Sequence, residues 1–293
     1  MDYPESKKMM LIADSGATKT DWCLVRGKEI LQRFSAKGIS PVYQSEEEIA
    51  LEIKEHVFPM LTDTAVGAIH FYGTGCIPEK IPLVRNAIYR SFPIDVIHVY
   101  SDLIAAAHSL CGHDHGIACI LGTGSNSCEW DGEKIRRQTS PLGFILGDEG
   151  SGAALGKQLV ADALKNQLTP GLKEKLLEEY ALTPALIIEK VYRQPFPSRF
   201  LASLSPFLHN HLEDASLRRI VTGSFNAFFE RNVMQYDYRN QDVHFVGSVA
   251  WHYADLLKEV ATHKGIRIGE ITQSPMAGLI RYHHTEDVET PKL

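Results

Sequence analysis

The stretch Asp14-Ser15-Gly16-Ala17-Thr18-Lys19-Thr20 sets one carboxylate, one glycine and several hydroxyls between two apolar runs, Met9 to Ala13 and Trp22 to Val25. That order reads as strand, tight glycine turn, strand. Gly16 lets the backbone approach a ligand closely, and N–H groups converging in such a turn suit the oxygens of a phosphate. Asp14, at the end of the first run, would supply a carboxylate to a magnesium ion and its waters. The same residues would also make an ordinary hairpin with a polar tip, so the decision rests on the rest of the chain.

Comparable turns recur after apolar segments. Val66 to Tyr72 runs into Gly73-Thr74-Gly75, and Val96 to Tyr100 runs into Ser101-Asp102, where Ser101 reads as the N-cap of a helix from Asp102 to Leu110. Gly116 to Leu121 and Asn126 to Trp130 flank Gly122-Thr123-Gly124-Ser125. Gly147-Asp148-Glu149-Gly150-Ser151-Gly152 opens a helical run, and Val243 to Ala250 reads as strand, glycine turn at Gly247-Ser248, and helix start.

The elements that must hold these turns follow from periodicity. Glu29 to Ser35 adds a third strand after Arg26-Gly27-Lys28. Ser45-Glu46-Glu47-Glu48 has capping-box spacing, and Ile49, Ile53, Val57 and Leu61 follow on one helical face, with Pro59 near its end. A helix from Pro78 to Ser91 precedes the strand at Val96. The pattern of three strands, then helices alternating with strands, starts again at Gly116 with a second meander ending at Ile135 to Thr139. Further helices are expected over Ala153 to Leu168, Leu172 to Tyr192, Ala215 to Tyr236 and Pro275 to His284, with breaks at Pro195, Pro197 and Pro206 and a polar tail after Thr285. A repeated topology with a glycine-hydroxyl turn in each half suggests two similar lobes around one ligand.

Composition bounds the rest. The 293 residues exceed one ordinary core, and 44% hydrophobic with 23% charged content is that of a soluble globular protein. A net charge of -6 without a dense Lys/Arg patch argues against nucleic acid as partner. The polar Met1 to Lys8 segment and the lack of a long apolar stretch point to a cytoplasmic chain with no membrane partner. Cys23, Cys76, Cys111, Cys119 and Cys128 sit in or beside apolar segments and read as reduced, buried thiols. Cys111-Gly112-His113-Asp114-His115 holds metal-capable side chains but reads as a solvated turn.

Taken together and in order, Asp14 to Thr20, Ser101-Asp102, Leu121 to Asn126, Gly147 to Ser151 and Gly247 to Ala250 resemble the actin-like ATPase and sugar-kinase superfamily. Within it they are similar to the branch of N-acetylglucosamine kinases and the activating ATPases of benzoyl-CoA reductase. The resemblance implies an α/β fold of two actin-like, ribonuclease H-like lobes. Each would be a mixed five-stranded sheet flanked by helices, with ATP in the cleft between lobes. It implies an N-terminal lobe over 1–115, completed by a C-terminal helix over 276–293, and a C-terminal lobe over 116–275. ATP phosphates would meet Asp14, Ser15, Gly16, Ala17, Thr18 and Thr20 on one side and Gly122, Thr123, Gly124 and Ser125 on the other. Asp14 would hold Mg2+ through water, and Gly247, Ser248 and Gly278 would lie by the adenosine. Asp102 takes the position of the base that accepts a sugar hydroxyl's proton, and its place at a helix start would keep it ionised. Ser40, Thr74, Gly143 and Asp148, with Asp102, would face the sugar. Dimers are common among similar kinases, so a homodimer is one expected state.

The chain departs from the pattern of N-acetylglucosamine kinases where the acceptor would bind. Gly38 to Val42 offers Ser40 and no asparagine, and Pro141 to Phe144 lacks a tryptophan. Phosphoryl transfer to an amino sugar or related hexose is therefore the leading expectation. An ATPase that switches a partner enzyme and a non-catalytic sugar sensor stand as alternatives. Cys111 and Cys119 do not have the spacing of an iron-sulfur motif, and a cysteine-rich zinc motif is absent.

Overall fold

The computed structural model describes residues 9–16, 18–61 and 65–289, with side chains as far as His284. The chain forms two compact units, Met1–His113 with Pro275–Leu293, and Asp114–Ser274.

The first unit is built on β1 (Met9–Ser15), β2 (Lys19–Arg26), β3 (Glu29–Lys37), β4 (Val66–Gly73) and β5 (Ile97–Ser101), in sheet order β3-β2-β1-β4-β5. The first three strands are antiparallel, whereas β1, β4 and β5 are parallel. β1 is a continuous apolar run because both its faces are covered. Met9, Leu11 and Ala13 pack towards the helices α1 (Glu46–Glu52) and α2 (Ile81–Ser91), and Met10 and Ile12 towards the other face. That other face is closed by α3 (Asp102–Leu110) and α13, the chain's last helix (Met276–Glu289), through Ala105, Met276, Leu279 and Ile280.

The capping box forms as expected, with Ser45 accepting from Glu48 N–H and Glu48 accepting from Ser45 N–H. Beyond Glu52 the helix widens into a π turn over Ile53–Val57 and then tightens into a 3-10 turn over Phe58–Met60, where Pro59 has no N–H to donate. On the α13 side, the Tyr72 phenol lies 2.9 Å from His108 Nδ1 and 2.8 Å from His283 Nε2, linking β4 to α3 and α13.

The second unit repeats the sheet with β6 (His115–Leu121), β7 (Ser125–Asp131), β8 (Ile135–Gln138), β9 (Val243–Val246) and β10 (Ile268–Thr272), in the order β10-β9-β6-β7-β8. Read outward from its first strand, this is the same topology. Between β8 and β9 lie α4 (Gly143–Leu146), α5 (Gly152–Leu164), α6 (Leu172–Glu179), α7 (Pro184–Tyr192), α8 (Pro197–Ala202), α9 (Ser205–Asn210) and α10 (Ala215–Arg231). α11 (Ser248–His252) and α12 (Ala254–His263) follow β9. Phe225, Phe228 and Phe229 of α10 pack with Phe245 of β9 in the core of this unit.

Several expected elements differ. The helix expected to reach Leu168 stops at Leu164, because Asn166 turns left-handed at φ 55°. The helix expected over Leu172 to Tyr192 is two, since Ala181 is left-handed at φ 48° and Pro184 begins the next helix. The Ala215 helix ends at Arg231 and is followed by a 3-10 turn over Val233–Gln235. The last helix continues past His284 to Glu289. All five cysteines are buried.

Candidate active-site residues

In the first unit the carboxyl ends of the three parallel strands lie side by side. Ser15 of β1 is in register with Gly73 of β4, and Gly73 with Ser101 of β5. Open α/β sheets present their ligand sites at these ends. Thr74 N–H donates to the Ser15 carbonyl at 2.9 Å, so the Gly73 turn is fixed to the first glycine turn. Thr74 Oγ1 donates to Asp102 Oδ2 at 2.9 Å. Ser101 caps α3, its hydroxyl accepting from Ile104 N–H at 3.3 Å, which fixes Asp102 as the first helical residue.

Burial pushes the Asp102 carboxyl above its ordinary range, against the Thr74 hydrogen bond and the backbone N–H groups of the helix start. Burial thus opposes the expectation that the helix start keeps Asp102 ionised. Asp14 rises to about 7, chiefly through burial and then through the like charges of Asp21 and Asp102, with Lys19 opposing. A carboxylate so crowded by negative charge has the environment a divalent cation would relieve. No group of three metal-ligating side chains occurs among the described residues. Magnesium does not need one, since it keeps its waters and takes one or two carboxylates with the substrate phosphates.

The hydroxyls of this turn divide into two kinds. Ser15 and Thr20, 1% and 0% exposed, turn inward. Their oxygens are 2.6 Å apart; Ser15 donates to the Ile39 carbonyl at 2.9 Å and accepts from Ile39 N–H at 3.0 Å, and Thr20 donates to the Lys37 carbonyl at 3.1 Å. These two therefore tie the turn to the segment carrying Ser40. Thr18 is exposed, Gly16 donates its N–H to the Lys19 carbonyl at 3.0 Å, and Ala17 lies outside the described residues. Ser40 is buried beside Gly75, at which a Cβ would stand 3.3 Å from Ser40 Oγ.

Gly278 packs against α3. It sits where α13 crosses α3, and a Cβ there would stand 2.2 Å from the Ser109 carbonyl oxygen, so the helices meet backbone to backbone.

In the second unit the turn after β6 is exposed at Thr123. Gly122 N–H donates to the Gly124 carbonyl at 3.0 Å and Ser125 N–H to Asp148 Oδ1 at 3.2 Å. The N–H groups of Thr123 and Gly124 have no acceptor among the described residues. Gly247 approaches from β9 with φ 125°, and a Cβ there would stand 2.3 Å from the Leu121 carbonyl oxygen. Only glycine fits this approach. Ser248, the first residue of α11, is exposed beside it. Gly143, left-handed at φ 71°, begins α4 in open space. Asp148 is not the cap of α5; Ser151 is, accepting from Ala154 N–H at 3.1 Å.

The unforeseen feature of this site is the bond between Asp148 and Ser125. No local pattern marks it, because the two residues are joined only by the folding of the intervening chain.

These turns and sheets are shared with known proteins. The chain matches no family model. It is 48% identical to a candidate N-acetylglucosamine kinase of Porphyromonas gingivalis, whose crystal structure superposes with a TM-score of 0.93 over 95% of this chain and 100% of that one. It is 27% identical to the N-acetyl-D-glucosamine kinase of Dictyostelium discoideum over 249 residues, 77% of this chain and 78% of the relative. A glucokinase of the ROK family from Streptomyces griseus, solved with glucose and AMPPNP, shares the fold at 17% identity and a TM-score of 0.56.

 That glucokinase aligns over 96% of this chain and 98% of its own, and the likeness speaks to the fold alone. The class that fold and turns define is the two-unit actin-like phosphotransferase. The chain belongs to the actin-like sugar-kinase family, in its N-acetylglucosamine kinase-like branch. Among the described residues, no helix is long and apolar enough to cross a membrane.

Proposed function

We propose that this sugar kinase transfers the terminal phosphoryl group of ATP to a hydroxyl of an amino sugar or related hexose, N-acetylglucosamine being the first candidate. The observation that carries this reading is Asp102: it opens α3 at the end of a parallel strand, is held by Thr74 at 2.9 Å, and has its proton affinity raised by burial. A carboxylate placed in this way can align an acceptor hydroxyl and take its proton as the oxygen–phosphorus bond forms and ADP leaves. Phosphoryl transfer asks chiefly for alignment and charge neutralisation, so nothing stronger than a carboxylate is required.

The remaining assignments follow the surfaces each unit exposes. Thr18 and the backbone of the first glycine turn would receive phosphate oxygens, with Ser15 and Thr20 shaping that turn from within. Thr123, with the N–H groups of Thr123 and Gly124, would do so in the second unit, and Ser248 would lie by the adenosine. Asp14 would hold Mg2+ through water, and the ion when bound supplies charge neutralisation for the phosphates. Ser40, Thr74, Gly143 and Asp148 are proposed for the acceptor side.

An ADP-coupled assay across hexoses, N-acetylated amino sugars and free amino sugars tests this. ADP release stimulated by at least one of them is expected, and hydrolysis indifferent to every sugar would overturn it in favour of an ATPase that serves a partner.

A further inference from the structure

Asp148 is 8% exposed and adopts a left-handed backbone, φ 56°, in a segment that contains three more such residues, Leu142 at φ 61°, Gly143 at φ 71° and Gly150 at φ 76°. A non-glycine residue holds that conformation only when its surroundings impose it. Here they do. Asp148 N–H donates to the Pro141 carbonyl at 3.0 Å, and Ser151 N–H donates to the Asp148 carbonyl at 3.1 Å.

From that fixed backbone the carboxylate reaches the glycine turn after β6. Oδ1 accepts Ser125 N–H at 3.2 Å, and Oδ2 lies over Gly124, where a Cβ would stand 3.2 Å away. Two backbone bonds reinforce the same junction: Gly152 N–H to the Gly122 carbonyl at 2.8 Å, and Ala153 N–H to the Thr123 carbonyl at 3.1 Å. Gly124 is thus small to admit Asp148, whereas a Cβ at Gly122 would meet nothing within 4 Å. Oδ2 has no hydrogen-bond donor among the described residues, so one oxygen is engaged by the turn and the other is open.

We propose that Asp148 is a positioning residue for the phosphate turn, and not only a contact to the acceptor: Oδ1 holds the Ser125 end of the turn while Oδ2 is left to an acceptor hydroxyl. This rests on the kinase reading. It adds that the turn's nucleotide affinity depends on Asp148 even with no sugar present, and that a sugar engaging Oδ2 stiffens the turn that receives the phosphates. Sugar and nucleotide then bind with positive coupling, reciprocal by linkage.

The test is ADP titration of the full chain without sugar, for the unsubstituted protein, Asp148→Ala and Asp148→Asn. Asp148→Ala is expected to weaken ADP by about tenfold, the scale of one hydrogen bond to a charged group. Asp148→Asn keeps an oxygen for Ser125 N–H and is expected to bind ADP at least as well as the unsubstituted protein, because it also removes a negative charge beside the phosphates. Amide hydrogen exchange over residues 121–126 supplies a readout that is independent of ligand: faster in Asp148→Ala, unchanged in Asp148→Asn. Equal ADP affinity and equal exchange in all three proteins would overturn the positioning role and leave the kinase reading standing. No ADP binding by the unsubstituted protein would overturn both.

Discussion

The two units build one sheet twice and finish it differently. Each begins with an antiparallel meander whose first strand ends in a glycine turn, and each adds two parallel strands on the other side of that strand. In the first unit the turn is closed by its own neighbours: Ser15 is paired with Thr20 in the β1–β2 register, and their hydroxyl oxygens stand 2.6 Å apart. In the second the corresponding register pair is Leu121 with Ser125, and closure comes from Asp148, beyond the end of β8. The strand ends differ too, β5 leading into Asp102 and β10 ending at Thr272. A repeated scaffold therefore supplies a glycine turn twice, while among the described residues the parallel strand ends carry an aspartate in the first unit, Asp102, and a threonine in the second, Thr272.

Substitutions can break this comparison, the largest effect coming where the second unit is tightest. Gly247→Ala would drive a Cβ to 2.3 Å from the Leu121 carbonyl oxygen at φ 125°. A loss of about 3 kcal/mol in urea unfolding is expected, the sum of backbone strain and overpacking. Asp102→Asn should lower kcat by about a hundredfold, the lower range for removing a general base, without lowering stability, since burial disfavours the carboxylate it replaces. A comparable loss from Thr272→Ala and none from Asp102→Asn would reverse the division between the units. Ser15→Ala removes the hydroxyl that pairs with both the Ile39 N–H and the Ile39 carbonyl, and should cost about 1–3 kcal/mol by the same unfolding measurement.

A pH series sharpens the contrast further. In the nucleotide-free chain Asp14 keeps its proton up to about 7, whereas the unfolded chain releases it near the usual carboxylate value of about 4. The folded state then binds more protons between those values, so this group's contribution to stability falls as pH rises through that window. Asp14→Asn should flatten the slope of melting temperature against pH and abolish kinase activity; an unchanged slope would show that Asp14 titrates normally. The smallest effect is expected at Gly122→Ala, whose Cβ meets nothing within 4 Å: stability within about 0.5 kcal/mol, read by thermal melting.

How much of this was legible in the amino acids depended on range along the chain. The meanders, the capping box at Ser45, the N-cap at Ser101 and the glycine turns are local, and their residues mark them. β10 was not read as a strand: Ile268-Gly269-Glu270-Ile271-Thr272 is only half apolar and owes its place to pairing with β9. The division of the Leu172 segment was hidden in the left-handed turn at Ala181. For the site, the candidate residues were visible but their directions were not. Ser15 and Thr20 look like Thr18 in a motif, yet their hydroxyls point inward, and only the position of Lys37 and Ile39 explains why. Nothing in the sequence around Gly278 marks its place at the crossing of α13 and α3.

The first unit is discontinuous in the chain, and this sets an order on its assembly during synthesis. Asp114–Ser274 is one uninterrupted segment that can close its core without α13, whereas the first sheet cannot close until α13 has been made. The first sheet is made earlier but waits longest, since Met10, Ile12 and Val25 gain their partners Met276, Leu279 and Ile280 only at the end. A chain that stops short of Met276 therefore carries a second unit with its whole segment and a first unit with one face of its sheet covered by α3 alone. Quality-control factors that bind exposed apolar surface would find the older half of the molecule before the younger one.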